Sequence, residues 1–235
     1  MNINDVSLGK LAVANLLFKT TSYNQSLINF NKKIARKPDL IQIKHRKYLI
    51  KWLNEWGCRN LLLSQHHIAS ASILKWYQEY GSSLFMDEKP LWELSEKELN
   101  VTAKAYGSLK DKIGGIRIRA GNKQEVHIGP TAASKILFAI KPKTLMPWDE
   151  EMRKYFDCTG SKESYLKYLL IIKKLTLQIR DLCEARGFPI DNLPQKLEDK
   201  DSTVMMLLNE YIWIMATKKV TLPSPQTLAL WAELG

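Results

Sequence analysis

Asp149 follows Pro147 by two residues and is followed by Glu150, Glu151, Arg153 and Lys154. Acidic residues first and basic residues last is the charge order that a helix dipole favours. A proline-braced turn that delivers an aspartate to a helix start holds its carboxylate rigid, as a catalytic acid or base requires. Aspartate is also among the commonest helix N-caps, and taken alone Asp149 reads first as a plain cap. Upstream, Ile128-Gly129-Pro130 reads as a turn running into a helix, with Pro130 at a first helical position that needs no amide donor. Such a start points free backbone amides outward and suits a phosphate group. Ala132, Ala133, Ile136, Leu137 and Ile140 continue with helical apolar spacing, and Pro142 stops that helix.

Taken together, the two elements resemble the helix-hairpin-helix DNA glycosylase superfamily. There a turn of the form G-x-G or I-G-x opens a helix, and a downstream P-x-D carries the catalytic aspartate. The matching residues are Ile128-Gly129-Pro130 and Pro147-Trp148-Asp149, within the stretch from Val126 to Phe156 of a 235-residue chain. Family members that also cut the DNA strand have a lysine at the start of the second helix. Thr131 stands at that place here, and Lys135, one turn further on, is out of register. The resemblance therefore implies a monofunctional enzyme with Asp149 and Thr131 in catalytic roles. Ile128, Gly129 and Ala132 would grip a phosphate, and a sodium or potassium ion would bind at the turn near Ile128. The implied fold is all-α and two-lobed, residues 1–44 with 148–235 forming one lobe and 45–147 the other.

Whole-chain composition agrees with a nucleic-acid partner. The net charge is +11, from 35 basic and 24 acidic residues, which favours a polyanion. Cys58, Cys158 and Cys183 are widely separated and odd in number, so no disulfide framework or metal pair is expected. The four-cysteine iron–sulfur cluster that some of these glycosylases carry cannot be built. No signal peptide or long apolar run is present, so the expectation is a monomeric, soluble, cytoplasmic protein acting on double-stranded DNA.

The remaining elements must position these groups. Helices are expected over Asp5–Lys19, Tyr23–Ala35 and Leu61–Tyr80, with a basic loop at Arg36-Lys37. Tyr48, Leu49, Trp52, Leu53 and Trp56 give a further apolar face, ended by Gly57, and tryptophans spaced i, i+4 are expected in the core. Of the adjacent His66 and His67, about 100° apart on a helix, one is expected at the surface and one packed. Pro90 is expected to start a further helix, which a capping box at Ser95 to Glu98 restarts and which continues to Ile113. Gly114 to Glu125 reads as a β-hairpin or a loop made basic by Arg117, Arg119 and Lys123, and is expected to contact DNA. Arg59 and Asn60, at a turn between helices, and Lys135 are further expected DNA contacts. Ser161 to Arg186 reads as one long helix, Pro194 to Asp201 as a polar connection, Val204 to Ala216 as a buried helix, and a last helix runs to Gly235.

Two functions follow. One is a DNA glycosylase that flips and hydrolyses off a modified base, leaving an abasic site. The other is a helix-hairpin-helix module that binds DNA backbone without chemistry. No base is specified by these residues, which leaves room for an unusual target such as a glucosylated hydroxymethylcytosine of phage DNA, excised as host defence.

Overall fold

The computed structural model describes residues 6–35, 38–85 and 88–234. Among them the chain is mostly helical, with one two-stranded sheet. The helices are α1 (Leu8–Lys19), α2 (Ser22–Lys33), α3 (Ile43–Glu55), α4 (His66–Phe85), α5 (Glu96–Lys110), α6 (Gly129–Ile140), α7 (Glu150–Tyr155), α8 (Lys162–Glu184), α9 (Leu193–Lys196), α10 (Val204–Ala216) and α11 (Pro225–Leu234); strands β1 (Ile113–Arg119) and β2 (Asn122–His127) lie between α5 and α6. Arg36, Lys37, Asp5 and Gly235 lie outside the described residues. No helix among the described residues is long and apolar enough to cross a membrane.

Local signals account for most helix starts. Ser7, Thr21, Ser95, Asp149, Ser161 and Thr203 each accept a first-turn amide on a side-chain oxygen. At Ser95 the capping box is complete, since Glu98 also accepts from the Ser95 amide. Three expectations need correction. The helix expected from Leu61 begins as a 3-10 turn at Leu63–Gln65 and becomes α4 only at His66. Pro90 opens a single 3-10 turn, Leu91–Glu93, because the capping box at Ser95 starts a new helix immediately. The polar connection expected from Pro194 to Asp201 opens within the short helix α9, which the 3-10 turn Ile190–Asn192 precedes. Neither histidine is in the core: His66 is half-buried and His67 exposed.

One continuous apolar core runs through the molecule. α1 and α7 pack on α10, while α3, α4, α5 and α6 pack successively and α5 also meets α8. At the α1–α10 seam, Asn15 Nδ2 donates to Asp199 Oδ2 (2.7 Å) and Glu210 Oε2 (2.8 Å). Burial pushes the Glu210 carboxyl up to about 8, the Asn15 bond opposing and the Asp199 charge adding to the shift.

The stretch from 113 to 127 resolves as a β-hairpin, antiparallel from Ile113↔His127 to Arg119↔Asn122. Ala120 and Gly121 turn it with φ of 49° and 80°, the left-handed conformations that two-residue hairpin turns use. Gly114 is needed for close approach, since a Cβ there would stand 2.7 Å from Leu61 Cδ2 and 3.3 Å from the Ile128 amide. Gln65 grips the hairpin at its base: its Nε2 donates to the Ile116 carbonyl (2.8 Å) and its Oε1 accepts from the Ile116 amide (2.6 Å). Beyond that point Arg117, Ile118, Arg119 and Lys123 are exposed.

Candidate functional site

Trp148 fixes the connection between α6 and α7. It is fully buried, edge-on to Tyr106 and Tyr165 and tilted against Tyr168. Its indole Nε1 donates to the Pro130 carbonyl (3.2 Å), and its amide donates to Ser134 Oγ (3.2 Å). Tyr168 donates to the Pro147 carbonyl (2.9 Å). Removing these groups from water holds their hydroxyls neutral, as burial pushes the Tyr106, Tyr165 and Tyr168 phenols upward. The residue after Trp148 therefore emerges from a rigid base.

That residue is Asp149. Its Oδ1 accepts the Met152 amide (2.8 Å), capping α7, and its Oδ2 accepts the Thr217 hydroxyl (2.8 Å) from the end of α10. Two bonds leave roughly two further lone-pair sites on a carboxylate. Asp149 is half-buried and lines a cleft of about 520 Å³.

The second helix start in this cleft is α6. Ile128 is tied back by its amide to the Lys112 carbonyl (2.8 Å), and Gly129 takes φ of 80°. Only glycine holds that conformation without strain, so the turn needs Gly129. No side chain caps α6. Its first amides have no intrahelical acceptor, and Thr131 and Ala132 follow directly on the turn. Thr131 Oγ1 accepts from Arg153 Nη1 (2.9 Å), which leaves its own hydroxyl proton able to donate.

Around these two starts the cleft is aromatic and basic. Phe18, Tyr23, Trp56 and Trp213 line it, with Tyr23 edge-on to Trp213 at 5.3 Å and to Trp56 at 6.4 Å between centroids. Arg59, Lys135, Arg153 and Lys218 line it against the acidic Asp149 and Glu150. Lys218 sits over Trp213 and Arg153 over Trp148. Lys135 is buried, its Nζ donating to the Trp56 carbonyl and lying 5.5 Å from the Trp56 ring centroid. Beside it, burial pushes the Cys58 thiol up, partly opposed by the Lys135 charge.

The residues singled out in the sequence thus fall into two groups. Asp149, Thr131, Ile128, Gly129, Ala132, Lys135, Arg59 and Asn60 all line the one cleft. Arg117 reaches its rim, donating to Asn60 Oδ1 (3.2 Å). Arg119 and Lys123 stand further out on the hairpin and do not line it. The sequence marks Thr217, Trp213 and Tyr23 with no role at the site, and Arg153 only through the charge order of α7. Arg153 alone had a local cue, lying four residues after Asp149 on the short helix that Asp149 caps.

Comparison with protein-family models, with curated proteins and with solved structures finds no match to this chain. The case for a function therefore rests on the cleft itself.

Proposed function

We propose that the protein is a monofunctional DNA glycosylase of the helix-hairpin-helix type, hydrolysing the N-glycosidic bond of a flipped, modified base. The observation that carries this reading is the Asp149 carboxylate, fixed by two hydrogen bonds at the mouth of an aromatic cleft beside an uncapped helix start. The base enters between Tyr23, Trp56 and Trp213, where stacking compensates for the stacking lost in the duplex. The amides of Thr131 and Ala132 hold a neighbouring phosphate, with Arg59, Asn60, Arg117, Arg119 and Lys123 along the backbone.

In the reaction the C1′–N bond breaks and its electron pair leaves with the base. Positive charge develops on the sugar, and the fixed Asp149 carboxylate stabilises it. Water adds its oxygen to C1′ and gives its proton to Asp149, from which the departing base is finally protonated. The Thr131 hydroxyl orients that water or the sugar. The monovalent cation implied by the resemblance would be held by backbone carbonyls of this turn. Those of Lys112 and Pro130 already accept from the Ile128 amide and Trp148 Nε1, and no step here uses the ion.

A panel of duplexes carrying different modified bases, glucosylated hydroxymethylcytosine among them, tests the reading by counting abasic sites. Alkali-labile sites in one or more members are the expected result. Tight, salt-sensitive duplex binding with no abasic site in any member would favour a non-catalytic DNA-binding module instead. Borohydride should trap no covalent adduct, because the Thr131 hydroxyl cannot form the imine that strand cleavage needs. An adduct lost in Lys135→Ala would replace hydrolysis with lyase chemistry.

A further inference from the structure

Lys135 is an unusual residue to find where it is. It is 8% exposed, yet it lines the cleft. An ammonium has three N–H donors, and among the described residues Lys135 meets one acceptor, the Trp56 carbonyl, together with the face of the Trp56 ring. Among the described residues no carboxylate lies within ion-pair distance of it. Cys58, its neighbour, stays a neutral thiol because burial outweighs the pull of the lysine. Asp149 directs its two oxygens to Met152 and Thr217. A charge removed from water with so few partners is costly, and a neutral residue of similar length would fill the same space more cheaply. Such a cost persists when the donor meets something that arrives from outside.

Depth decides what arrives. Arg59 and Lys218 are exposed, and they can meet phosphates without leaving water. Lys135 instead is buried against the Trp56 ring, in a cleft that Tyr23 and Trp213 also line. A phosphate brought to so buried an ammonium would lose its hydration. A planar ring loses little and meets the aromatic side chains that line the cleft, and its carbonyl oxygen supplies the missing acceptor.

Resting on the proposed glycosylase reading, we propose that Lys135 selects the base: its ammonium donates to a ring carbonyl, so the cleft admits bases that present an oxo group there and rejects those that present an amino group. An amino group would set donor against donor. A buried donor left without its acceptor is discriminated against by roughly ten- to a hundredfold.

The test is a binding measurement with wild-type protein. Two otherwise identical duplexes carry hypoxanthine or adenine, which differ by oxo against amino at C6 and by the proton that N1 carries in hypoxanthine. Each lies opposite a tetrahydrofuran spacer, so neither base must break a pair. A 2′-fluorine on the target sugar, by withdrawing electrons, keeps the glycosidic bond intact. The expected result is roughly tenfold or greater preference for hypoxanthine. In Lys135→Met the preference should fall close to one, and affinity for a duplex with spacers on both strands should fall less than affinity for the hypoxanthine duplex. Lys135→Gln, which keeps a donor without the charge, should retain part of it and carries the comparison if Lys135→Met does not fold. Equal binding of the two duplexes by wild type, or a preference that survives both substitutions, overturns the proposal. Excision from the modified-base panel without any oxo preference would sink this inference alone. An oxo preference with no excision from any duplex would leave Lys135 as a ring-reading residue and sink the enzyme reading.

Discussion

The two helix starts that meet in the cleft are finished in opposite ways. α7 begins on Asp149, whose carboxylate satisfies the Met152 amide, while α6 begins on Ile128 and Gly129 with no side-chain cap at all. Five other starts take a Ser or Thr cap, while α3 and α9, which like α6 have no side-chain cap, do not open into the cleft. A capped start spends its positive end on its own aspartate; a bare one keeps it for an outside anion. On the proposed function the pair divides the work. The capped start presents negative charge to a sugar turning positive, and the bare start presents amides to a phosphate.

Exchanging the parts should separate these duties. Asp149→Asn keeps a capping side chain and removes the charge, so base excision should fall roughly a thousandfold or more while Tm and duplex affinity hold. Activity near wild type, or an unfolded variant, would refute the assignment. At the other start, Gly129→Ala forces a side chain into a left-handed conformation. Duplex affinity should drop about tenfold, with stability lowered by about 1 kcal/mol, measured by titration and thermal melting. Unchanged affinity in the folded variant would remove the bare start as a phosphate site.

Thr217→Val sharpens the same contrast by freeing one oxygen of Asp149 while leaving its α7 cap in place. We expect kcat to fall about tenfold with KM little changed, since a carboxylate bond of this kind positions more than it binds. A shift confined to KM would contradict it. The smallest effect lies away from the cleft, at Glu210. A carboxyl raised from 4.5 in the unfolded chain to about 8 in the fold binds its proton more tightly when folded. Its stability contribution is full below about pH 4.5 and declines as pH rises through about 8. Glu210→Gln should therefore raise Tm by several degrees at pH 9 and change it little at pH 5. Equal shifts at both pH values would show that Glu210 is not the titrating group.

Legibility in the sequence followed locality. The capping box at Ser95, the bounds of α10 and the cap at Asp149 are written within a few residues of where they act. The helices lost or shortened, at Leu61 and Pro90, are places where apolar spacing continued but the chain turned in 3-10 geometry. Within the cleft, the turn and the aspartate had local form, whereas the groups that hold them did not. Thr217 reaches Asp149 from 68 residues away, and nothing near a helix-ending threonine announces that. Trp56 belongs to an apolar face and is only 6% exposed, so core was the natural reading; what it lines is set by α6 and α10.

Gln65 has a consequence for motion. Its amide bonds to both backbone groups of Ile116, doing for one residue what a third strand would do for several. The hairpin is thus a lever clamped at one point, with Ile118, Arg119 and Lys123 on the free arm. Amide hydrogen exchange should report two clocks along seven residues of β1, slow at Ile116 and fast from Ile118 to the turn. Gln65→Ala should merge them into one fast clock, and the arm that reaches outward would then swing from its root.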